Sequence, residues 1–179
     1  MKKYAFLDRD GALIFEPQTD FQIDSLEKLQ ILPGVIEALK KILEQGYELI
    51  MVSNQNGLGT PSFPTENFEA PQDRMLEIFK ENGISFSKIF VCPHFPVENC
   101  ECRKPKLGLL KEFLEENEID KGNSFMYGDR ESDRQFANNL GIKFYKAETN
   151  SACSLTNFLG NHARPKSSEI QKKRKSQFH

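Results

Sequence analysis

The chain alternates short apolar runs with stretches of helical periodicity. Tyr4-Ala5-Phe6-Leu7 is short enough for a buried strand and ends at Asp8. Pro33-Gly34 precedes a stretch with Val35, Ile36, Leu39, Ile42 and Leu43 on one helical face, and Gly46 is placed to stop it. A second strand is expected over Glu48 to Val52, carried by Leu49-Ile50-Met51-Val52. The spacing then predicts a helix opened by Pro71, with Met75, Leu76 and Phe79 inward and Gly83 at its end. Lys88 to Val91 predicts a third strand, and Leu107, Leu110, Phe113 and Leu114 a third helix. Ser124 to Tyr127 predicts a fourth strand, Phe136, Ala137 and Leu140 a helix closing at Gly141, and Ile142 to Tyr145 a fifth strand.

Strands alternating with helices predict an α/β domain with a mainly parallel sheet. Ligands in such sheets bind outside the carboxyl ends of the strands. The residues just past those ends are Asp8, Ser53, Asp129 and a loop beginning at Cys92, all polar or metal-binding. The apolar pattern fades beyond Asn161, so the domain is expected over residues 1–163, with residues 164–179 as a flexible tail or truncated linker.

The chain has 179 residues, enough for one sizeable core. A formal charge of -2 suggests no nucleic-acid or membrane partner from the overall balance. The basic run Lys172-Lys173-Arg174-Lys175 reads as a solvated tail in preference to a tether. No apolar run approaches the ~20 residues needed to span a bilayer. The run after Met1-Lys2-Lys3 is too short for a signal-peptide core, so a cytoplasmic location is expected. Of the 4 cysteines, Cys92, Cys100 and Cys102 crowd one loop. In a cytosolic protein such crowding favours metal over disulfides. Cys153 stands apart and reads as a small buried hydrophobe.

The candidate chemistry lies at the strand ends. Asp8 and Asp10 are carboxylates two positions apart, whose repulsion a divalent cation would relieve. A hard cation such as Mg²⁺ suits oxygen ligands and phosphate substrates. One carboxylate can be a nucleophile and the other a general acid and base. An ordinary Asp-Gly turn has the same residues. Ser53-Asn54-Gln55-Asn56-Gly57 has a hydroxyl and backbone N–H groups able to cradle a phosphoryl oxygen, and is also ordinary turn composition. Asp129 could complete a Mg²⁺ shell with Asp133 orienting it from behind, or both could be acids at a helix N-terminus. Cys92, His94, Cys100 and Cys102 supply three sulfurs and one imidazole, the donor set of a closed tetrahedral Zn²⁺ site; the rivals are reduced thiols or a labile Cys92–Cys100 disulfide. Arg103 and Lys104 follow at once, and a fixed cation there could neutralise charge on a transferring phosphoryl group.

Taken in order, Asp8-x-Asp10, Ser53, Lys104 and Gly128-Asp129 with Asp133 resemble the four motifs of the haloacid dehalogenase superfamily of phosphatases. The segment Cys92 to Lys106 resembles the zinc-loop branch of histidinol-phosphate and heptose-bisphosphate phosphatases. Phe6 to Gly11, Ser53 to Thr60 and Ser62-Phe63-Pro64 bring the match closer to the phosphatase domain of the bifunctional bacterial histidine-biosynthesis enzyme.

The resemblance implies a Rossmann-like sheet with no large cap domain. It implies Asp8 as nucleophile and Asp10 as acid and base. Mg²⁺ would lie between the Asp8 and Asp129 carboxylates, the Asp10 carbonyl and the phosphate. Ser53 and Lys104 would hold the transferring group, with Asn54 lining the pocket and Arg103 touching the substrate. The zinc would be structural. The implied substrate is a small phosphate monoester, L-histidinol phosphate, with D-glycero-D-manno-heptose 1,7-bisphosphate as the alternative. A fused or separate imidazoleglycerol-phosphate dehydratase is the implied partner. Glu16, Asp20, Glu98 and Glu101 are candidate acids for a cationic substrate, and the Thr60-to-Phe68 segment is read as a loop. The family has Thr where this chain has Ala12, which leaves a catalytically decayed binding module as an alternative of another class.

Overall fold

The computed structural model describes residues 1–155. The expected tail at 164–179, with its run Lys172 to Lys175, lies outside the described residues. Among the described residues, five strands, β1 (Tyr4–Leu7), β2 (Glu48–Asn54), β3 (Lys88–Cys92), β4 (Phe125–Gly128) and β5 (Lys143–Lys146), form one sheet in the order β3-β2-β1-β4-β5. Every pairing is parallel. The helices are α1 (Val35–Glu44), α2 (Thr65–Glu81), α3 (Lys111–Glu116) and α4 (Glu131–Leu140).

A parallel sheet needs cover on both faces, and the period-two alternation along β1 shows how it is obtained. Ala5 and Leu7 point into one apolar layer with Val35, Leu39 and Ile42 of α1 and Met75 and Phe79 of α2. Tyr4 and Phe6 point into the other, with Phe113 of α3 and Phe136, Ala137 and Leu140 of α4. All four residues of β1 are buried. In register, Leu7 lies beside both Met51 of β2 and Tyr127 of β4. Asp8 therefore leaves the sheet at its centre, flanked by the carboxyl ends of β2 and β4.

The expected strands and helices are present, with two corrections. Pro71 does not open its helix: α2 begins at Thr65, after Pro64, and carries Pro71 inside. A proline there removes one i→i−4 hydrogen bond and costs about 3 kcal/mol or more. Phe68, Pro71, Gln72, Met75 and Phe79 are all buried, one continuous stripe at helical spacing running across the proline. Burial of that stripe, at about 1.5–3 kcal/mol for each large apolar side chain, outweighs the missing bond. The Thr60-to-Phe68 segment is accordingly a loop only as far as Pro64. The third helix also begins late: Gly108–Leu110 is a 3-10 turn and α3 starts at Lys111.

Among the described residues, no helix is long and apolar enough to cross a membrane.

Candidate active site and metal centre

Asp8, at the end of the central strand, is fixed by its backbone N–H, which donates to the Tyr127 carbonyl at 2.9 Å. Its Oδ1 accepts from Lys104 Nζ at 2.7 Å. The same Nζ lies 2.8 Å from Asp133 Oδ1, and Lys104 and Asp133 are almost wholly buried. One lysine thus bridges two buried carboxylates. Burial first, then the Asp133 charge, pushes the Asp8 carboxyl well above the usual range, with Lys104 opposing both. Burial disfavours the Lys104 cation, yet the two carboxylates win and hold its ammonium above its ordinary value.

Carboxylate oxygens of Asp8, Asp129 and Asp133 lie within 4.8 Å of one another. Asp129 Oδ2 accepts from Thr149 Oγ1 at 2.8 Å, so Thr149 and not Asp133 is the side chain bonded to Asp129. Asp129 Oδ1 is buried with no hydrogen-bond partner among the described residues. An orphan carboxylate oxygen beside two further acids fits a hard divalent cation. The Asp10 side chain turns elsewhere: Oδ1 accepts from Arg9 Nε at 2.5 Å and Oδ2 from Gln55 Nε2 at 3.0 Å. Gln55 also donates to Ser53 Oγ at 2.7 Å, tying the ends of β1 and β2 together.

These groups surround a cavity of about 200 Å³ lined by Asp8, Asp10, Asn54, Arg103, Lys104 and Asp133 among others. Asn54 touches it, but the Asn54 amide is spent on the backbone of Lys104. Arg103 donates to Asn56 Oδ1 at 2.6 Å and to the His94 carbonyl at 3.1 Å. Of the four candidate acids, Glu16 alone reaches the cavity wall. Its two oxygens accept from Arg130 Nη2 at 2.5 and 2.6 Å. Burial raises the Glu16 carboxyl to about 7 despite the arginine. Asp20 is engaged by Lys28, Glu98 by the Phe95 N–H and Glu101 by Lys106. Ala12 is buried in the same apolar layer as the inward side chains of α1 and has no polar side-chain atom to offer the site.

The cysteine loop leaves β3 at Cys92. Cys92 Sγ lies 3.2 Å from Cys102 Sγ and 3.6 Å from Cys100 Sγ, and His94 Nδ1 lies 3.1 Å from Cys102 Sγ. A tetrahedron with metal–sulfur bonds of about 2.3 Å has sulfur–sulfur edges of about 3.8 Å, close to this spacing. A disulfide needs sulfurs about 2.05 Å apart, and the three thiols are free. The donor set fits a closed zinc site. The loop rests on the β2 turn: a Cβ on Gly57, whose φ is +71°, would meet Phe95 Cζ at 2.3 Å.

Sequence reasoning missed Gln55, Arg9 and Arg130 as contributors. Gln55 and Arg9 were visible within the motifs, but their partners were not.

The polynucleotide kinase 3 phosphatase family matches residues 3–150. The chain belongs to this phosphatase family. Its fold is that of haloacid dehalogenase-type phosphatases. It is 54% identical over 145 residues to the histidine biosynthesis bifunctional protein HisB of Campylobacter jejuni subsp. doylei, covering 81% of this chain and 41% of that protein. It is 57% identical over 138 residues to HisB of Actinobacillus pleuropneumoniae serotype 3, covering 77% and 38%. The chain therefore spans about two fifths of the length of these relatives. Among solved structures it resembles the D,D-heptose 1,7-bisphosphate phosphatase of B. bronchiseptica complexed with magnesium and phosphate, with a TM-score of 0.73, 26% identity, and coverage of 92% of this chain and 89% of that one.

Proposed function

We propose that this phosphatase hydrolyses L-histidinol phosphate to L-histidinol and phosphate through an aspartyl-phosphate on Asp8. The observation that carries the chemistry is Asp8 in the cavity lining, paired with Lys104 2.7 Å away. Asp8 forms a bond to phosphorus as the bond to the leaving oxygen breaks, and Asp10 gives that oxygen its proton. Asp10 then takes a proton from water, whose oxygen attacks phosphorus and frees Asp8. Lys104 offsets the phosphoryl charge; Ser53, expected from the sequence to hold the transferring group beside it, does not line the cavity and accepts from Gln55, which holds Asp10. Asp8, the Asp10 carbonyl and Asp129 would hold Mg²⁺, which supplies charge stabilisation for the transferring group. Cys92, His94, Cys100 and Cys102 would hold a structural Zn²⁺ that fixes Arg103 and Lys104. Residues 1–163 form the phosphatase domain, in the cytoplasm, and an imidazoleglycerol-phosphate dehydratase is its partner, fused or separate.

Two observations support the substrate. The relatives above are histidine-biosynthesis proteins, and the cavity wall holds Glu16, an acid that a substrate amine or imidazole would share with Arg130. The second reading, a heptose 1,7-bisphosphate, is favoured by Arg103 and Arg130 in the same wall. Glu16 already engages Arg130, which leaves Arg103 as the lining arginine without a carboxylate partner among the described residues. The deciding measurement is phosphate release from both substrates, each with added Mg²⁺ and with EDTA. Histidinol phosphate is expected to have the higher kcat/KM, and EDTA to abolish turnover of both. A preference of ~10-fold or more for the heptose bisphosphate, about 1.4 kcal/mol in the transition state, would overturn the substrate.

A further inference from the structure

Arg9 is the largest of the fully buried side chains. A buried guanidinium is costly unless paired, because several kcal/mol of hydration are lost. Its carboxylate partner is Asp10, its own neighbour in sequence, met by Nε at 2.5 Å. The rest of the head group is held by α2. Nη1 donates to Gln72 Oε1 at 2.9 Å, and the guanidinium carbon sits 4.7 Å from the centroid of the Phe68 ring. Phe68 is itself braced edge-on by Phe63 at 6.1 Å. Nη2 has no hydrogen-bond partner among the described residues. The cation is thus gripped at one end by a helix and spends its charge on one side chain of the cavity.

A carboxylate has about four lone-pair sites. Arg9 takes one on Oδ1 and Gln55 one on Oδ2. Together they fix the plane of the Asp10 carboxylate from two sides, and leave a second lone pair on each oxygen. A side chain that must donate a proton and later accept one needs one orientation for both steps, and misplacement by about 1 Å can cost ~100-fold in rate.

We infer that Arg9, anchored by Phe68 and Gln72 of α2, is a positioning residue that sets the orientation of Asp10 for proton transfer. The inference rests on the reading of Asp10 as general acid and base. It also gives a role to the N-terminal extension of α2 across Pro71: without those turns Phe68 would not lie under the guanidinium.

Orientation of a general acid matters most when the leaving group is poor. The test compares kcat/KM for an alkyl phosphate, whose alkoxide needs the proton, with that for p-nitrophenyl phosphate, whose phenolate leaves without it. Three variants of the full chain, with its metals, are compared: Asp10→Asn, Arg9→Met and Gln72→Leu. Asp10→Asn calibrates the assay by losing alkyl phosphate activity selectively, by about 100-fold or more. Arg9→Met is expected to lose about 10-fold or more on the alkyl phosphate relative to the aryl one, and Gln72→Leu less in the same direction. If Arg9→Met does not fold, Gln72→Leu decides. Equal losses on both substrates in the variants that fold, alongside a selective loss in Asp10→Asn, would overturn the positioning role. No selectivity in Asp10→Asn would overturn the acid–base reading beneath it.

Discussion

The side-chain amide of Asn54 clasps both backbone groups of Lys104. Its Oδ1 accepts the Lys104 N–H at 3.0 Å and its Nδ2 donates to the Lys104 carbonyl at 3.3 Å. The pair spans fifty positions in sequence and works like one rung of a sheet, joining the end of β2 to the exit of the cysteine loop. Arg103 and Asn56 form the adjoining rung at 2.6 Å. Lys104 thus reaches Asp8 from a backbone held by another element.

The first expected outcome follows from that clasp. Asn54→Ala removes two hydrogen bonds and leaves a backbone pair to find water, a cost of about 1–3 kcal/mol. The loss should appear as a rise in KM and a fall in kcat totalling about 10- to 100-fold in kcat/KM, since about 1.4 kcal/mol is tenfold. Steady-state kinetics with the folded variant, checked by circular dichroism, settles it. Unchanged kinetics would mean that Lys104 needs no such support.

Asp8→Asn separates chemistry from stability. The variant should have no turnover, because an amide cannot accept the phosphoryl group. Burial and the Asp133 charge make an ionised Asp8 costly in the metal-free protein. Neutralising it should therefore leave the metal-free fold as stable as the parent at neutral pH, or more so, in chemical denaturation. Residual activity near the parent level would dismiss the nucleophile.

Glu16 gives the pH dependence a sign. Its folded value, about 7, lies above its ordinary 4.5. Between those values the folded chain binds more protons than the unfolded chain, so stability from this group falls as pH rises. It is fully present below the unfolded value and lost as pH passes the folded one. Metal-free protein should lose melting temperature across this window, and Glu16→Gln should flatten that slope. Parallel curves for the two proteins would show that the Arg130 pair keeps Glu16 ionised throughout.

The cysteine loop should carry about one zinc per chain by the logic of four closed ligands. Cys100→Ser should weaken the metal and loosen the loop that carries Arg103 and Lys104. KM should rise more than kcat falls, because the loop shapes the cavity without touching the transferred proton. Metal analysis by mass spectrometry beside kinetics is the check. Zinc-free protein with normal kinetics would remove the loop from the account.

How much of this was legible follows from the range of each interaction. Asp8, Asp10, Asp129 and the Cys92 loop could be read because a parallel sheet presents whatever follows its strands, and strand ends are marked by local apolar runs. The four metal-type ligands of the loop were legible because they are neighbours in sequence. Pro71 misled because local propensity puts proline at a helix start, whereas burial of Phe68 decides where α2 begins. Arg9 sits in plain view between the two acids, yet nothing local says that Gln72, sixty-three positions away, will receive it. Glu16 and Arg130 are likewise joined only by the fold, across 114 positions. Asn54 was read as a pocket residue, and its commitment to the Lys104 backbone is a tertiary fact.

The contact between Phe95 and Gly57 bears on anyone who would transplant the cysteine loop into another phosphatase of this fold. The loop is seated on bare peptide, and a methyl group at residue 57 would collide with the ring at 2.3 Å. The natural unit of exchange is therefore larger than the eleven residues from Cys92 to Cys102. It includes a glycine thirty-five positions upstream of Cys92, on a different strand end, which carries no side-chain chemistry. A host with a side chain there would meet the Phe95 ring first, and the ring would have to swing aside before the loop could seat.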